Sequence, residues 1–210
     1  MHLSQIWTYP VKSCAGVLLD KGILDERGLA YDRHWMVVSP GGKMVTLREA
    51  PTLIKVIPQF AEDHLKLTTP EMPSLELPYR STGQGLLVRL WEGQAEATVL
   101  ADGSAWFTQY LGCEVLLVAV AKDNTRILRS SLDTHPLSFV DSSPLNLLGE
   151  ASLSDLNSRL EKSADMKQFR PNLVFAGCWH TPITVRAVWK RICWVGLLLI
   201  VGENTPRFIC

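Results

Sequence analysis

Three short segments of the chain set cations and hydroxyls on turns. Tyr9-Pro10-Val11-Lys12-Ser13-Cys14 follows an apolar run that Pro10 helps to end, so Lys12 and Ser13 emerge where a loop approaches a ligand. Phe139-Val140-Asp141-Ser142-Ser143-Pro144 offers two adjacent hydroxyls, Ser142 and Ser143, at a proline-bounded turn. Phe169-Arg170-Pro171-Asn172 places an arginine before a proline, where the backbone is expected to be extended and the guanidinium to project from a rigid strand entry. Asp32-Arg33 adds a fourth group. Two arginines, a lysine and several hydroxyls suit one purpose, which is gripping a phosphorylated, multiply hydrogen-bonding small molecule by bidentate and charge-assisted contacts.

Each piece also has a plain structural reading. Lys12 serves equally as a solvated turn lysine, Arg33 as the partner of Asp32 or Glu26, Arg170 as a strap to Asp141, and Ser-Ser-Pro as a turn alone. Cys14, two positions after Lys12, is either a nucleophile with a depressed pKa or a small buried thiol. His34 beside Trp35 reads as a packed strand residue. Rival chemistries are missing: there is no glycine-rich phosphate loop of either common spacing and no His-x-x-x-His pair, and the histidines are scattered singly. No catalytic residue and no metal ligand is assigned from these patterns.

The elements that must position these groups are mostly strands. In the first hundred residues, short β-branched and aromatic runs alternate with Gly and Pro punctuation. His34–Val38, the Ser39-Pro40-Gly41-Gly42 turn and Lys43–Thr46 form a hairpin pattern. Leu53–Ile57, His64–Thr68, Leu86–Trp91 and Ala95–Leu100 are expected to be further strands. Asp102 is expected to N-cap a helix through Leu111 that buries Trp106, Tyr110 and Leu111, before Val115–Val120 returns to strand. Residues 121–138 are polar, with no periodic apolar face, and read as a long loop or domain junction. The clearest helix follows, with Ser152 and Asp155 in capping-box spacing and Leu153, Leu156 and Leu160 on one face; Leu173–Phe175 is then a buried strand.

Composition bounds the rest. The chain has 210 residues, 47% of them hydrophobic, which excludes disorder and gives room for one large domain or two small ones. Twenty-one basic residues balance twenty-one acidic ones, so no whole-protein field holds nucleic acid or an anionic membrane, and an anion must be gripped locally. No run is long enough for a membrane span, and Met1–Pro10 lacks the pattern of a signal peptide, so a cytoplasmic location is expected. Cys14, Cys113, Cys178, Cys193 and Cys210 are odd in number and contain no Cys-x-x-Cys, so reduced thiols are expected. Residues 179–210 hold three of the seven tryptophans and one acidic residue, Glu203, against four basic ones. This break sets the tail apart, and its apolar stretch Ile192–Gly202 reads as a buried strand whose partners are missing.

Read together, Trp7-x-Tyr9-Pro10-Val11-Lys12-Ser13-Cys14-x-Gly16, Gly28-Leu29-x-x-Asp32-Arg33-x-Trp35, Met44-Val45-Thr46-x-Arg48, Ser142-Ser143-Pro144, Glu150-Ala151-Ser152-Leu153-x-Asp155-Leu156-Asn157 and Phe169-Arg170-Pro171-Asn172-Leu173 resemble the MOSC-domain proteins. The nearest likeness is to bacterial YcbX-type reductases of N-hydroxylated bases and to the mitochondrial amidoxime-reducing component. The resemblance implies an α+β, predominantly β fold: a MOSC N-terminal β-rich subdomain over 1–120, a linker and the start of the MOSC barrel domain over 121–178, and a divergent tail of an incomplete MOSC β-barrel over 179–210. It implies a molybdenum–molybdopterin cofactor gripped by Lys12, Ser13, Arg33, Ser142, Ser143 and Arg170, with Arg48 and Asn172 as secondary contacts. The activity implied is reduction of small N-hydroxylated substrates (amidoximes, hydroxylamines, N-hydroxylated purines), with electrons from a separate flavin or haem protein. Sulfurase relatives carry MOSC beside a pyridoxal-phosphate domain, which this sequence does not contain.

One departure stands against the match. The family supplies a thiolate to molybdenum from a Lys-Pro-Cys-x-Arg-Cys segment, and this chain has none; counting on from Trp189-Lys190-Arg191-Ile192, the ligand position falls near Thr205, with Cys210 several residues too late. The sequence therefore points to a MOSC-type oxidoreductase whose present form is catalytically impaired. The alternatives from other classes are a non-catalytic pterin-binding or carrier module and a non-functional remnant.

Overall fold

The computed structural model describes residues 2–91, 93–122, 124, 126–129, 134–177 and 197–200. Strands dominate these residues, with two α-helices. The order is β1 (His2–Thr8), β2 (Val17–Leu19), β3 (Lys21–Asp25), β4 (Gly28–Leu29), β5 (Trp35–Val38), a 3-10 turn (Pro51–Lys55), β6 (Ile57–Phe60), β7 (His64–Thr68), β8 (Leu75–Pro78), β9 (Gly85–Arg89) and β10 (Gln94–Leu100). Then come α1 (Ala101–Leu111), β11 (Leu116–Val120), β12 (Ile127–Arg129), β13 (Thr134–Pro136), β14 (Leu147–Gly149), α2 (Glu150–Asn157), a second 3-10 turn (Met166–Phe169), β15 (Leu173–Ala176) and β16 (Leu197–Ile200). The α+β, predominantly β class read from the sequence is the one observed, and the described strands close no barrel.

One sheet runs β5-β11-β10-β9, every neighbour antiparallel. Its strand β5 is buried on both faces, because WMVV offers apolar groups at both side-chain parities. Trp35 and Val37 join Leu117, Phe107, Leu65 and Leu77 in one core, while Met36 and Val38 join Val118, Ala97 and Phe139 in a second. The meander β6-β7-β8 and helix α1 cover the first core. Gly103 lets α1 sit close on the sheet, since a Cβ there would stand 2.3 Å from Cδ2 of Leu117.

A second sheet, β14-β15-β1-β2, joins residues 2–19 to residues 147–176: β1 is antiparallel to both β15 (Ile6↔Leu173) and β2 (Ile6↔Leu19), and β14 is parallel to β15. Its inward residues Leu3, Ile6 and Leu173 pack with Leu24, Leu29 and Leu145 in a third core. Because β1 and β15 are antiparallel, the loop leaving β1 and the segment entering β15 carry Lys12 and Arg170 to the same place.

Several expectations are corrected. Leu53 lies in a 3-10 turn and only Ile57 begins a strand, because Pro51 fixes the φ that starts a helical turn and Val56 closes it with its N–H on the Leu53 carbonyl. Asp102 sits in the first turn of α1, and the N-cap position is Leu100 without a side-chain cap; its carboxylate favours the positive helix end by charge alone. Trp106 is buried as expected, together with Phe107, while Tyr110 and Leu111 are partly buried. Helix α2 begins at Glu150, ends before Leu160 and has no capping box, and none of its residues is buried. In the described part of 121–138, β12 and β13 pair, tied by Asn124 and Arg126. The hairpin turn at Ser39–Gly42 closes as expected, but its second arm makes only isolated bridges in place of a strand: Met44 pairs with Val38, the Val45 N–H donates to the Val37 carbonyl, and Lys43 bridges to Arg89 of β9. Strand β16, in the stretch expected to lack partners, pairs antiparallel with β3, Leu197 opposite Leu24; the rest of 192–202 lies outside the described residues, as do Cys178, Cys193, Cys210, the Trp189–Ile192 segment and Thr205.

Candidate functional site

The Lys12 loop is built by β5. Pro10 offers its carbonyl to the Trp35 N–H (3.0 Å), and the Lys12 N–H donates to the Trp35 carbonyl (2.8 Å), so the chain after β1 is held as a strand-like bridge without continuing the sheet. Ser13 then turns with φ 72° and Cys14 closes the turn on the Val11 carbonyl. Lys12 is no solvated turn lysine. It is 7% exposed, and its Nζ donates to the Phe139 carbonyl (2.8 Å) and to Asp141 (2.6 Å). Burial pulls its pKa down, with the Asp141 bond opposing.

Asp32 fixes the next group. Its buried carboxylate accepts from the Tyr9 N–H (2.8 Å) and pairs with the Arg33 guanidinium. Arg33 also donates to Asn172 Oδ1 and to the Arg170 carbonyl, both at 3.2 Å. Of the two partners weighed for Arg33, Asp32 is the one that binds it.

Arg170 differs most from its expected form. It is left-handed, with φ 49° and ψ 50°, and caps the 3-10 turn with its N–H on the Lys167 carbonyl. Proline disfavours the ordinary helical geometry before it, yet the cap is over-determined here: the Arg170 carbonyl is gripped by Arg33 Nη2 (3.2 Å) and by Asn146 Nδ2 (3.3 Å). Its guanidinium does not strap Asp141. Nη1 donates to the Cys14 carbonyl at 2.8 Å, and Nη2 is buried with no hydrogen-bond partner. Burial, then the neighbouring Arg33 charge, pushes its pKa down to about 10.

The hydroxyl turn is placed from below and from the side. Arg126, buried, donates to the carbonyls of Ser138 (2.7 Å), Val140 (2.7 Å) and Asp141 (3.0 Å). Gly28, at φ 106°, packs against Pro144: a Cβ there would stand 2.4 Å from the Pro144 oxygen. The glycine thereby lets β4 touch the turn that carries Ser142 and Ser143.

These parts face one cavity of about 910 Å³, lined by all six residues named for an anion, Lys12, Ser13, Arg33, Ser142, Ser143 and Arg170. Arg48 and Asn172 line it too. Asn172 is 1% exposed and fully engaged inside the fold, giving Nδ2 to the Trp7 carbonyl and receiving Arg33 and the Asn146 N–H, so it orients Arg33. Arg48 lies 5.3 Å from the ring of Trp91 at the rim. Lys12, Arg33 and Arg170 bring three positive charges, and the carboxylates bonded to them are two, Asp32 and Asp141. The charge on Arg170, which is half-buried, is left without a bonded carboxylate. Among the described residues five non-glycine positions have positive φ, and three of them are Ser13, Arg33 and Arg170, a clustering of backbone strain of the kind found at functional sites.

Sequence reasoning missed Asn146, Arg126 and Trp91. Asn146 and Arg126 act through backbone carbonyls, which carry no side-chain pattern to read, and Trp91 looked like a strand end. Cys14 is fully buried, and desolvation pushes its thiol up to about 12; this removes the nucleophile reading, for Arg170 lowers the value too little to compete. Among the described residues the cavity lining has no thiol, and no group of three or more His, Cys, Asp or Glu could hold a metal ion.

Fold and site together define a β-rich protein with a cavity, lined by cations and hydroxyls, between loops from both halves of its sequence. The chain matches the MOSC N-terminal beta barrel domain over residues 1–114 and the MOSC domain over residues 134–207, and it belongs to the MOSC family. It is similar to mitochondrial amidoxime reducing component 2 of Bos taurus (35% identical over 189 residues, 84% of this chain and 56% of the relative) and of Homo sapiens (32% over 189 residues, with the same shares). Mitochondrial amidoxime-reducing component 1 of Mus musculus is 31% identical over 225 residues, 97% of this chain and 66% of the relative. The chain thus spans about half the length of the first of these relatives.

Proposed function

We propose that the cavity binds a molybdenum–molybdopterin cofactor and that the chain serves reduction of N-hydroxylated small molecules, the chemistry named in its amidoxime-reducing relatives. The observation that carries this reading is Arg170, whose charge has no bonded carboxylate and whose Nη2 is buried with no hydrogen-bond partner, beside a cavity that the residue lines with Lys12, Ser13, Arg33, Ser142 and Ser143. A buried unpaired guanidinium nitrogen costs stability until an acceptor arrives, and a phosphate is that acceptor. The donor set therefore fits the phosphate-bearing part of the cofactor.

Within this reading, Arg33 and Arg170 hold the phosphate, and Ser142, Ser143 and Ser13 donate hydroxyls. Asp141 keeps Lys12 charged at the wall, where burial alone would favour its neutral form. When bound, the cofactor supplies two-electron oxygen-atom exchange, which side chains cannot do. Electrons are proposed to come from a separate flavin or haem protein. The absence from this sequence of the family's Lys-Pro-Cys-x-Arg-Cys segment favours a second outcome, a pterin-binding module without a working metal centre. Elemental molybdenum and fluorescent pterin, assayed on the full chain from a host that makes the cofactor, test both: metal and pterin near one per chain support the reductase, pterin alone supports the module, and neither defeats the proposal.

A further inference from the structure

Tyr9 is a buried aromatic residue with no chemical role in the site as described. It is 2% exposed, its hydroxyl is buried without a hydrogen-bond partner, and Gly16 packs so close that a Cβ there would stand 2.5 Å from Cε1 of the ring. A leucine or valine would fill such a space without stranding a hydroxyl. What the ring does have is two cations: the Arg33 guanidinium carbon lies 4.5 Å from its centroid and that of Arg170 lies 4.2 Å away.

Two guanidiniums held so near one ring repel each other. Arg33 is tied by Asp32 and Asn172, whereas Arg170 has one carbonyl, that of Cys14, and the ring. The negative face of an aromatic ring attracts a guanidinium, most strongly where water is excluded. The backbone of Tyr9 adds to the arrangement, since its N–H is fixed by Asp32 and its carbonyl receives the Arg33 N–H (2.9 Å), which locks the ring to the residues it organises.

We propose that Tyr9 is a positioning residue, whose ring holds the like-charged guanidiniums of Arg33 and Arg170 together as a preformed anion clamp. This rests on the anion-site reading above. Without the ring's charge distribution, Arg170 moves off toward solvent and the clamp must be assembled when the anion binds.

The test measures the dissociation constant of inorganic phosphate by calorimetry on the full chain, alongside extractable pterin per chain. Tyr9→Phe keeps the ring and is expected to bind phosphate within twofold of the wild type; Tyr9→Leu is expected to bind at least tenfold more weakly. Because Tyr9→Leu can also disturb packing against Gly16, a fluorinated phenylalanine series at position 9 supplies the second measurement, keeping the ring's shape while draining and then reversing the charge of its face. Affinity that falls stepwise with fluorination supports the clamp. Affinity that stays level or rises, or a Tyr9→Phe variant as weak as Tyr9→Leu, overturns it. A wild type that binds neither phosphate nor pterin removes the anion-site reading itself, a result distinguishable from failure of the Tyr9 role alone.

Discussion

At the scale of single residues, the site is a problem of uncompensated charge. Arg170 is half-buried, with a carbonyl on one guanidinium nitrogen and no hydrogen-bond partner on the other, so its removal should separate binding from stability. Arg170→Gln is expected to weaken phosphate or pterin retention by about 1.5–3 kcal/mol, the worth of a charged hydrogen bond, while urea unfolding of the empty chain shifts by less than about 1 kcal/mol, because the lost charge had no counter-ion to leave behind. His34 carries the acid limit. Burial, helped by the Arg27 charge, holds its pKa down at about 4 against an ordinary value of 6.5. The unfolded chain takes up a proton near pH 6.5 that the folded chain refuses until about 4. Stability is therefore complete above pH 6.5 and drains away as pH falls through that window, by about 3 kcal/mol in all. In His34→Gln that slope should vanish from a pH series of denaturant midpoints; a wild-type curve flat from 6.5 to 4 counts against the half-buried neutral imidazole.

At the scale of elements, the turn bearing Ser142 and Ser143 depends on a glycine 114 positions earlier in the chain, counted from residue 28 to residue 142. Gly28→Ala puts a Cβ within 2.4 Å of the Pro144 oxygen at a φ of 106°. The backbone conformation alone costs about 1–2 kcal/mol, and the clash adds to it, so destabilisation of about 2 kcal/mol or more is expected in urea unfolding, with a matching loss of phosphate affinity as the hydroxyl turn is pushed aside. Such couplings show what was legible beforehand. The strands β7, β10 and β15 were readable because their apolar residues alternate or run together between turn residues, and the convergence of the six named residues on one cavity was approachable because lysine, arginine and paired serines stand out on turns. The 3-10 turn at Pro51–Lys55 was not, since Leu53, Ile54 and Val56 are as apolar as any strand and only Pro51 tells against one. The capping box of α2 failed because Ser152 and Asp155 have the right spacing in the wrong place, two residues inside a helix that begins at Glu150. The left-handed Arg170 was illegible for a different reason: the local rule for a residue before proline is overridden by Arg33 and Asn146, which arrive from elsewhere in the sequence.

At the scale of the whole molecule, the two family matches meet in the cavity. Lys12, Ser13 and Arg33 come from residues 1–114, while Ser142, Ser143 and Arg170 come from 134–207. Neither segment alone assembles the clamp, and the bonds across it already run from Lys12 to Asp141, from Arg33 to Asn172 and from Arg170 to the Cys14 carbonyl. An anion that bridges the same groups should therefore stabilise both segments at once. At a hundredfold excess over its dissociation constant, a ligand that binds only the folded chain adds about 2.7 kcal/mol. Phosphate at that level is expected to raise the unfolding midpoint as one cooperative transition and to slow amide hydrogen exchange around both 10–14 and 138–146. The net charge of the chain is zero, so long-range attraction contributes little, and the gain should persist at salt concentrations that screen exposed charges over ~8 Å. Protection confined to one segment, or a stabilisation lost in moderate salt, would place the anion on the surface and not in the clamp. The same titration on Arg170→Gln should show the wild-type transition with its phosphate-dependent shift cut by about half or more, because the guanidinium nitrogen without a hydrogen-bond partner is the group proposed to take the anion.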